Sequence, residues 1–215
     1  MLWRLLIPIK HPATAKTRLH GATRRHADHA ELVRAIQSDT VEAALAARST
    51  GGERASSIAG VFIVGDRPPP GLAPLGETDL GLLPDSGSGL NASLRAAAAA
   101  LSARYPADGV AAMVADLPAL RPAALNQALA AATLLERGYV ADAAGTGTTV
   151  LTARAGQPLT PEFGLDSARR HHASGAIEID ADLSLRSDVD TAEDLRRCLL
   201  LGVGEHTARM VARLV

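Results

Sequence analysis

The sequence predicts a three-layer α/β/α sandwich, Rossmann-like in its layering, around a mostly parallel mixed sheet. Three observations carry this reading. Short apolar runs alternate with longer stretches of helical spacing along the chain, the order that covers a parallel sheet on both faces. The runs Val61–Val64 and Val110–Ala115 are apolar throughout, as strands buried on both faces are. The chain has 215 residues, 47% of them hydrophobic and only 2% aromatic, enough for one core built from Ala, Leu, Val and Ile. Residues 1–215 read as a single domain without an internal repeat.

Each element follows from local pattern. Leu2–Ile9 is a first buried strand. His26–Ala47 places Leu32, Val33, Ile36, Val41, Ala44 and Leu45 at helical spacing. The Gly/Ser/Arg stretch 48–57 reads as a loop. Val61–Val64 is a strand closed by Gly65-Asp66 and a triple proline, and Leu80–Leu83 is a further short strand. Leu90–Arg104 is Ala-rich and helical. Val110–Ala115 is a strand, and Pro122–Glu136 a helix with proline at its start. Tyr139–Ala141 and Thr148–Ala153 are strands around the turn 143–147. Ser167–Ser174 is a short helix and Ala176–Ile179 a strand. Thr191-Ala192-Glu193-Asp194 opens a helix to about Leu201 like a capping box, and 205–215 is either a terminal helix or a frayed tail.

Composition narrows the function. A formal net charge of −1 does not suit a broad basic nucleic-acid face, and so few aromatics do not suit a base-stacking platform. One cysteine, Cys198, excludes an internal disulfide and a cysteine-cluster metal site; it reads as a small core residue. No segment is long enough for a membrane span, so the expectation is a cytoplasmic protein with neither nucleic-acid nor membrane partners.

Among 22 Lys and Arg residues only Lys10 and Lys16 are lysines, and both lie in the run Ile7–Leu19 after the first strand. A compact ammonium kept in an arginine-biased chain points to a phosphate. Ligands bind beyond the carboxyl ends of strands in such sheets, and polar motifs gather there. Asp116-Leu117-Pro118 follows the most apolar strand, and Asp188 and Asp190 share one face of an extended segment. These three carboxylates suit one or two Mg2+ ions held against phosphate. The Asp85–Asn91 loop is glycine-rich and opens a helix, so its amides can approach a phosphate or a base edge. It is neither a P-loop nor a dinucleotide fingerprint. His26 and His29 read as solvated. Of the cations Arg169, Arg170, His171 and His172, one is a candidate to face an anionic substrate.

Together, Ile7–Leu19, Gly89-Leu90-Asn91, Ala115–Pro118, Gly147-Thr148-Thr149, Phe163-Gly164 with Ser167, and Leu185–Thr191 resemble the phosphoenolpyruvate and 2-phospho-L-lactate guanylyltransferases of coenzyme F-420 biosynthesis, in order and over the whole chain. The Arg- and Ala-rich composition favours the actinobacterial, phosphoenolpyruvate type. Two departures stand out. Pro8 and Pro12 replace a glycine-rich start, and Leu165-Asp166 stands where the family often has Pro-Gly. The resemblance implies a glycosyltransferase-A-like nucleotidyltransferase fold. It implies that Ile9, Lys10, Lys16, Gly89 and Asn91 bind GTP, with Lys16 and Arg18 neutralising its phosphates as the catalytic cations. It further implies that Asp116, Asp188 and Asp190 hold Mg2+, that Thr149, Gly164 and Ser167 hold the phosphorylated acid, and that a downstream transferase takes the product. Three alternatives stay open: the phospholactate enzyme, another small-molecule nucleotidyltransferase, and a non-catalytic nucleotide-binding scaffold.

Overall fold

The computed structural model describes residues 1–9, 26–49, 57–69 and 80–214. Seven strands form one sheet: β1 (Leu2–Pro8), β2 (Ser57–Val64), β3 (Leu80–Leu83), β4 (Gly109–Met113), β5 (Arg137–Ala141), β6 (Thr148–Ala153) and β7 (Ile177–Glu178). Their order is β3-β2-β1-β4-β6-β5-β7. β1, β2, β3 and β4 run parallel. β6 lies antiparallel between β4 and β5, and β7 is parallel to β5. The described helices are α1 (His26–Ser49), α2 (Leu90–Arg104), α3 (Pro122–Ala132), α4 (Ser167–Ala173), α5 (Leu183–Arg186), α6 (Ala192–Leu201) and α7 (Glu205–Ala212).

Alternation along β1 shows how the layers form. Leu5 and Ile7 project into a core with Val41, Leu125 and Leu129 of α1 and α3, whereas Leu6 joins Leu94 and Leu101 of α2 and Phe163 on the opposite face. All three β1 side chains are fully buried, each stabilising the fold by roughly 1.5–3 kcal/mol. A third cluster of Leu32, Ile36, Val189, Leu195, Cys198 and Met210 packs α6 and α7 onto α1. The expected sandwich is present, with a mixed and mostly parallel sheet.

The differences from the sequence reading have physical causes. β2 begins at Ser57 rather than Val61 because Ile58 pairs beside Trp3 of β1 and is buried. α3 stops at Ala132 instead of Glu136, and Leu134 is left 83% exposed. Residues 183–186, to which the sequence pattern assigns no element, form α5, capped by the Asp182 carboxylate accepting the Ser184 N–H. Residues 205–212 are helical rather than frayed. His29 is buried, not solvated, because α1 lies beneath α7 and takes part in the third cluster along its first turns. No described helix is long and apolar enough to cross a membrane.

Candidate active site

Asp116 leaves the carboxyl end of β4 in a turn held from two sides. The Leu117 N–H donates to Thr40 Oγ1 of α1 at 3.0 Å, and the Pro118 carbonyl accepts the Gly204 N–H at 2.9 Å. Leu117 is fully buried, so the turn is anchored by packing as well. The Asp116 carbonyl accepts the Val189 N–H at 3.0 Å. Val189 is itself fully buried, and its neighbours Asp188 and Asp190 sit one residue to either side on an extended segment. That backbone bond, with the buried Val189 as pivot, brings the three aspartates together.

One carboxylate oxygen from each of Asp116, Asp188 and Asp190 lies within 4.8 Å of the other two. Oxygens around one octahedral Mg2+ are about 3 Å apart when adjacent and about 4.2 Å apart when opposite, from bonds of about 2.1 Å. The spacing fits a hard divalent cation without rearrangement of the fold. Like charges this close repel by roughly 1 kcal/mol per pair in water and several times more near a protein surface, a cost that a bound cation offsets. The helix that follows fixes the third ligand: the Asp194 carboxylate accepts the N–H of Asp190 at 3.2 Å and of Thr191 at 2.8 Å, in a complete capping box. Behind the cluster, Cys198 donates to the Ser187 carbonyl at 3.4 Å. Burial first, then the carboxylates of Asp194, Asp188 and Asp116, push its thiol up to about 12. It is an unreactive core residue.

A second group, Asp39, Glu42 and His206, also brings its ligand atoms within 4.8 Å of one another. Asp39 accepts the N–H groups of His206 and Thr207 at 3.0 and 2.8 Å. That is a cap for the start of α7, and it accounts for the buried carboxylate.

The glycine-rich turn before α2 holds Gly87 at φ 73° and Gly89 at φ 95°, values that favour glycine. A Cβ at either position would meet nothing within 4 Å, so the turn faces open space. Asp85 closes it by accepting the Gly87 N–H at 3.0 Å and the Ser93 hydroxyl. Asn91, in the first turn of α2, uses both ends of its carboxamide on Phe163: Nδ2 donates to the Phe163 carbonyl at 3.0 Å, and Oδ1 accepts the Phe163 N–H at 2.9 Å.

Across the sheet, the Thr149 carbonyl accepts the Val114 N–H at 2.9 Å, which sets the start of β6 beside the Asp116 turn. Thr149 is 1% exposed, and its Oγ1 has no hydrogen-bond partner among the described residues. Ser167, at the start of α4, is also buried. Gly164 (φ 124°) and Asp166 (φ 53°) carry the chain into that helix. The turn between β5 and β6 is held by Asp142, whose carboxylate accepts the N–H of Thr146 and Gly147 at 2.9 and 2.8 Å. Arg186 of α5 donates to the carbonyls of Ala141 and Asp142 at 3.1 and 3.0 Å. The segment that leads to Asp188 is thereby tied to the hairpin that carries Thr149.

His171 is fully buried. Its Nε2 accepts the Glu162 N–H at 2.9 Å, which leaves Nδ1 to donate to Thr148 Oγ1 at 2.9 Å. Burial, then the charges of Arg137 and Arg170, lower its pKa to about 4. It is neutral near pH 7 and cannot serve there as a cation. Arg169 pairs with Asp166 at 3.1 Å. A Cβ on Gly164 would lie 3.3 Å from the Arg170 guanidinium, which places that cation over the 163–167 loop. The sequence left His171 among four cations that could face an anionic substrate; its burial takes it out of that set. Lys10, Lys16 and Arg18 lie outside the described residues, while Ile9 donates its N–H to the Val64 carbonyl at the carboxyl end of β2.

No protein-family model matches the sequence. Curated relatives do. The chain is 48% identical over 220 residues to a phosphoenolpyruvate guanylyltransferase of Streptomyces coelicolor, covering 100% of this chain and 98% of that one. It is 45% identical over 221 residues to a protein of the same name from Thermomonospora curvata, covering 100% and 90%. Among solved structures, it is similar to a protein of Desulfovibrio desulfuricans G20 described as a nucleotide-diphospho-sugar transferase, with TM-score 0.60, 15% identity and coverage of 99% and 97%. A nucleotidyl transferase from a Methanothermobacter species matches with TM-score 0.56, 18% identity and coverage of 94% and 97%. The structural neighbours share the nucleotidyltransferase fold, and the full-length identity to the curated relatives is decisive for kinship: this chain belongs to the phosphoenolpyruvate guanylyltransferase family.

Proposed function

We propose that the protein transfers the GMP moiety of GTP to phosphoenolpyruvate with Mg2+ as its metal, giving enolpyruvoyl-diphospho-guanosine and pyrophosphate, for coenzyme F-420 biosynthesis. The observation that carries this is the convergence of Asp116, Asp188 and Asp190 at the carboxyl end of β4, in a chain of this family. A structural neighbour from Mycobacterium tuberculosis, 20% identical with TM-score 0.50, is described in complex with manganese, which is in keeping with a divalent cation. The three aspartates would hold the ion, whose chemistry is to neutralise phosphate charge and orient phosphate oxygens.

In this reading Ile9, Lys10, Lys16 and the glycine turn that ends at Gly89 receive the nucleotide, with Lys16 and Arg18 neutralising its phosphates. The buried Thr149 Oγ1, which has no hydrogen-bond partner among the described residues, together with Gly164 and Ser167, receives the acid. A phosphate oxygen of the acid forms a bond to the α-phosphorus of GTP. The bond from that phosphorus to the bridging oxygen breaks, and pyrophosphate leaves with the electron pair. The nucleophile is already ionised near neutral pH, so positioning and charge neutralisation suffice without a general base. The neutral, fully engaged His171 is consistent with that.

The test is pyrophosphate release from GTP with Mg2+ and, in parallel, phosphoenolpyruvate, 2-phospho-L-lactate or 3-phosphoglycerate. A downstream transferase is added to trap a labile product, since direct hand-over to such a partner is part of the reading. Release with phosphoenolpyruvate alone is the expected result. Release with another acid would change the substrate assignment, and GTP binding without turnover would point to a scaffold.

A further inference from the structure

The sequence puts Asn91 with the nucleotide. We infer instead that its side chain acts as a positioning residue for the acid, tying the acid-binding loop to the helix that starts at the nucleotide turn. This rests on the reading of Thr149, Gly164 and Ser167 as the acid pocket.

The carboxamide of Asn91 and the backbone of Phe163 exchange two hydrogen bonds, 2.9 and 3.0 Å, across 72 positions of sequence. The oxygen accepts and the nitrogen donates, so the pair fixes the orientation of the Phe163 peptide as well as its position. The preceding N–H, that of Glu162, is taken by His171 Nε2, and the Phe163 ring meets the His171 ring edge-on at 5.3 Å between centroids. Two consecutive backbone amides are thus held by side chains from two helices, α2 and α4. Immediately beyond them the chain takes positive φ at Gly164 and at the non-glycine Asp166. Conformations of this kind persist only where the surroundings over-determine them, and the Asn91 and His171 clamps supply that determination. Gly164 and Ser167 follow within four residues of Phe163.

The clamp also links the two substrates. Asn91 lies two residues after Gly89, the last glycine of the open turn and the residue that caps α2. A nucleotide seated on that turn steadies the first turn of α2, and through Asn91 it steadies the acid loop. Nucleotide and acid therefore favour each other's binding, and by linkage the effect is reciprocal.

The experiment is steady-state kinetics of Asn91→Ala, Asn91→Asp and the unaltered enzyme, with both substrates varied, alongside thermal unfolding. In Asn91→Ala the KM for phosphoenolpyruvate rises about tenfold, as the loss of two backbone hydrogen bonds predicts, while the KM for GTP at saturating acid changes less than threefold. Asn91→Asp keeps the acceptor for the Phe163 N–H and gives an intermediate KM. In the unaltered enzyme a saturating, non-hydrolysable GTP analogue tightens acid binding, and in Asn91→Ala this tightening is lost. A rise in the KM for GTP instead would return Asn91 to the nucleotide and overturn the inference. A fall in melting temperature and active fraction with both KM values unchanged would reduce it to a fold contact. If the unaltered enzyme turned over none of the three acids, the acid-site reading itself would fall, and the inference with it; turnover in the unaltered enzyme with no kinetic change in the variant would sink the inference alone.

Discussion

Acidification tests the buried imidazole of His171, and the structure sets both sign and size. In the unfolded chain this histidine titrates near its ordinary value of 6.5, whereas in the folded protein burial and the nearby arginines bring it to about 4. The unfolded state therefore binds more protons below pH 6.5, and stability contributed by the neutral ring is lost as pH falls from 6.5 toward 4. At roughly 1 kcal/mol or a little more per unit, the full span removes about 3 kcal/mol, of which about 1 kcal/mol is gone at pH 5.5 and about 2–3 kcal/mol at pH 4.5. The assay is urea unfolding of the protein and of His171→Gln at pH 7.5, 6.5, 5.5 and 4.5. Subtracting one curve from the other cancels the carboxylates common to both. The expected difference is flat above pH 7 and shrinks by the stated amounts below it. Parallel curves down to pH 4.5 would refute the claim that a neutral His171 holds Glu162 and Thr148.

Replacing Asp116 by Asn lowers turnover at least about 100-fold, the scale of removing one strong electrostatic contact to a reacting phosphate, yet leaves the melting temperature unchanged or raised because a repulsive carboxylate charge is gone; chelation of the metal gives the same loss in the unaltered enzyme, reversed by Mg2+. Thr40→Val removes the buried acceptor of the Leu117 N–H and costs about 1–3 kcal/mol in urea unfolding, with a higher Mg2+ requirement in the activity assay. Gly147→Ala drives a methyl into the Asp142 carboxylate, and overpacking of that order costs roughly 1–3 kcal/mol, read by the same unfolding titration. Arg170→Ala, which removes the guanidinium over Gly164, raises the KM for the acid while Arg169→Ala, which only frees Asp166 from an exposed pair, leaves it unchanged.

Much of this was legible because the sequence marks it by chemistry that has no other economical use. A fully apolar strand halted by Pro118 presents Asp116 at its carboxyl end, and the period-two spacing of Asp188 and Asp190 around an apolar valine puts both on one face. The capping box at Thr191 and Asp194 is a local signal that long-range packing does not disturb. The less legible features depend on partners distant in the chain. Asn91 and Phe163 are 72 residues apart, and nothing near Asn91 indicates that its carboxamide meets a backbone rather than a ligand. His171 looks like a surface cation until burial makes it neutral. The extent of β2 depends on Trp3 of a neighbouring strand, since its own Ser, Ala and Gly residues carry little strand propensity. α5 has four residues, too few for a periodic signal.

The reversed strand β6 has a bearing on how such a site can diversify. In a wholly parallel arrangement, the beginning of that strand would lie at the far rim of the molecule. Running backwards, β6 delivers its first residues, Thr148 and Thr149, to the same rim as the end of β4. In the proposed reading, the hairpin of β5 and β6 and the loop into α4 can therefore change in length and sequence, and so refit the acid pocket to a different small acid, while the four parallel strands keep the nucleotide's seat intact. On that reading, one inverted strand makes acceptor choice a replaceable module on a fixed donor platform.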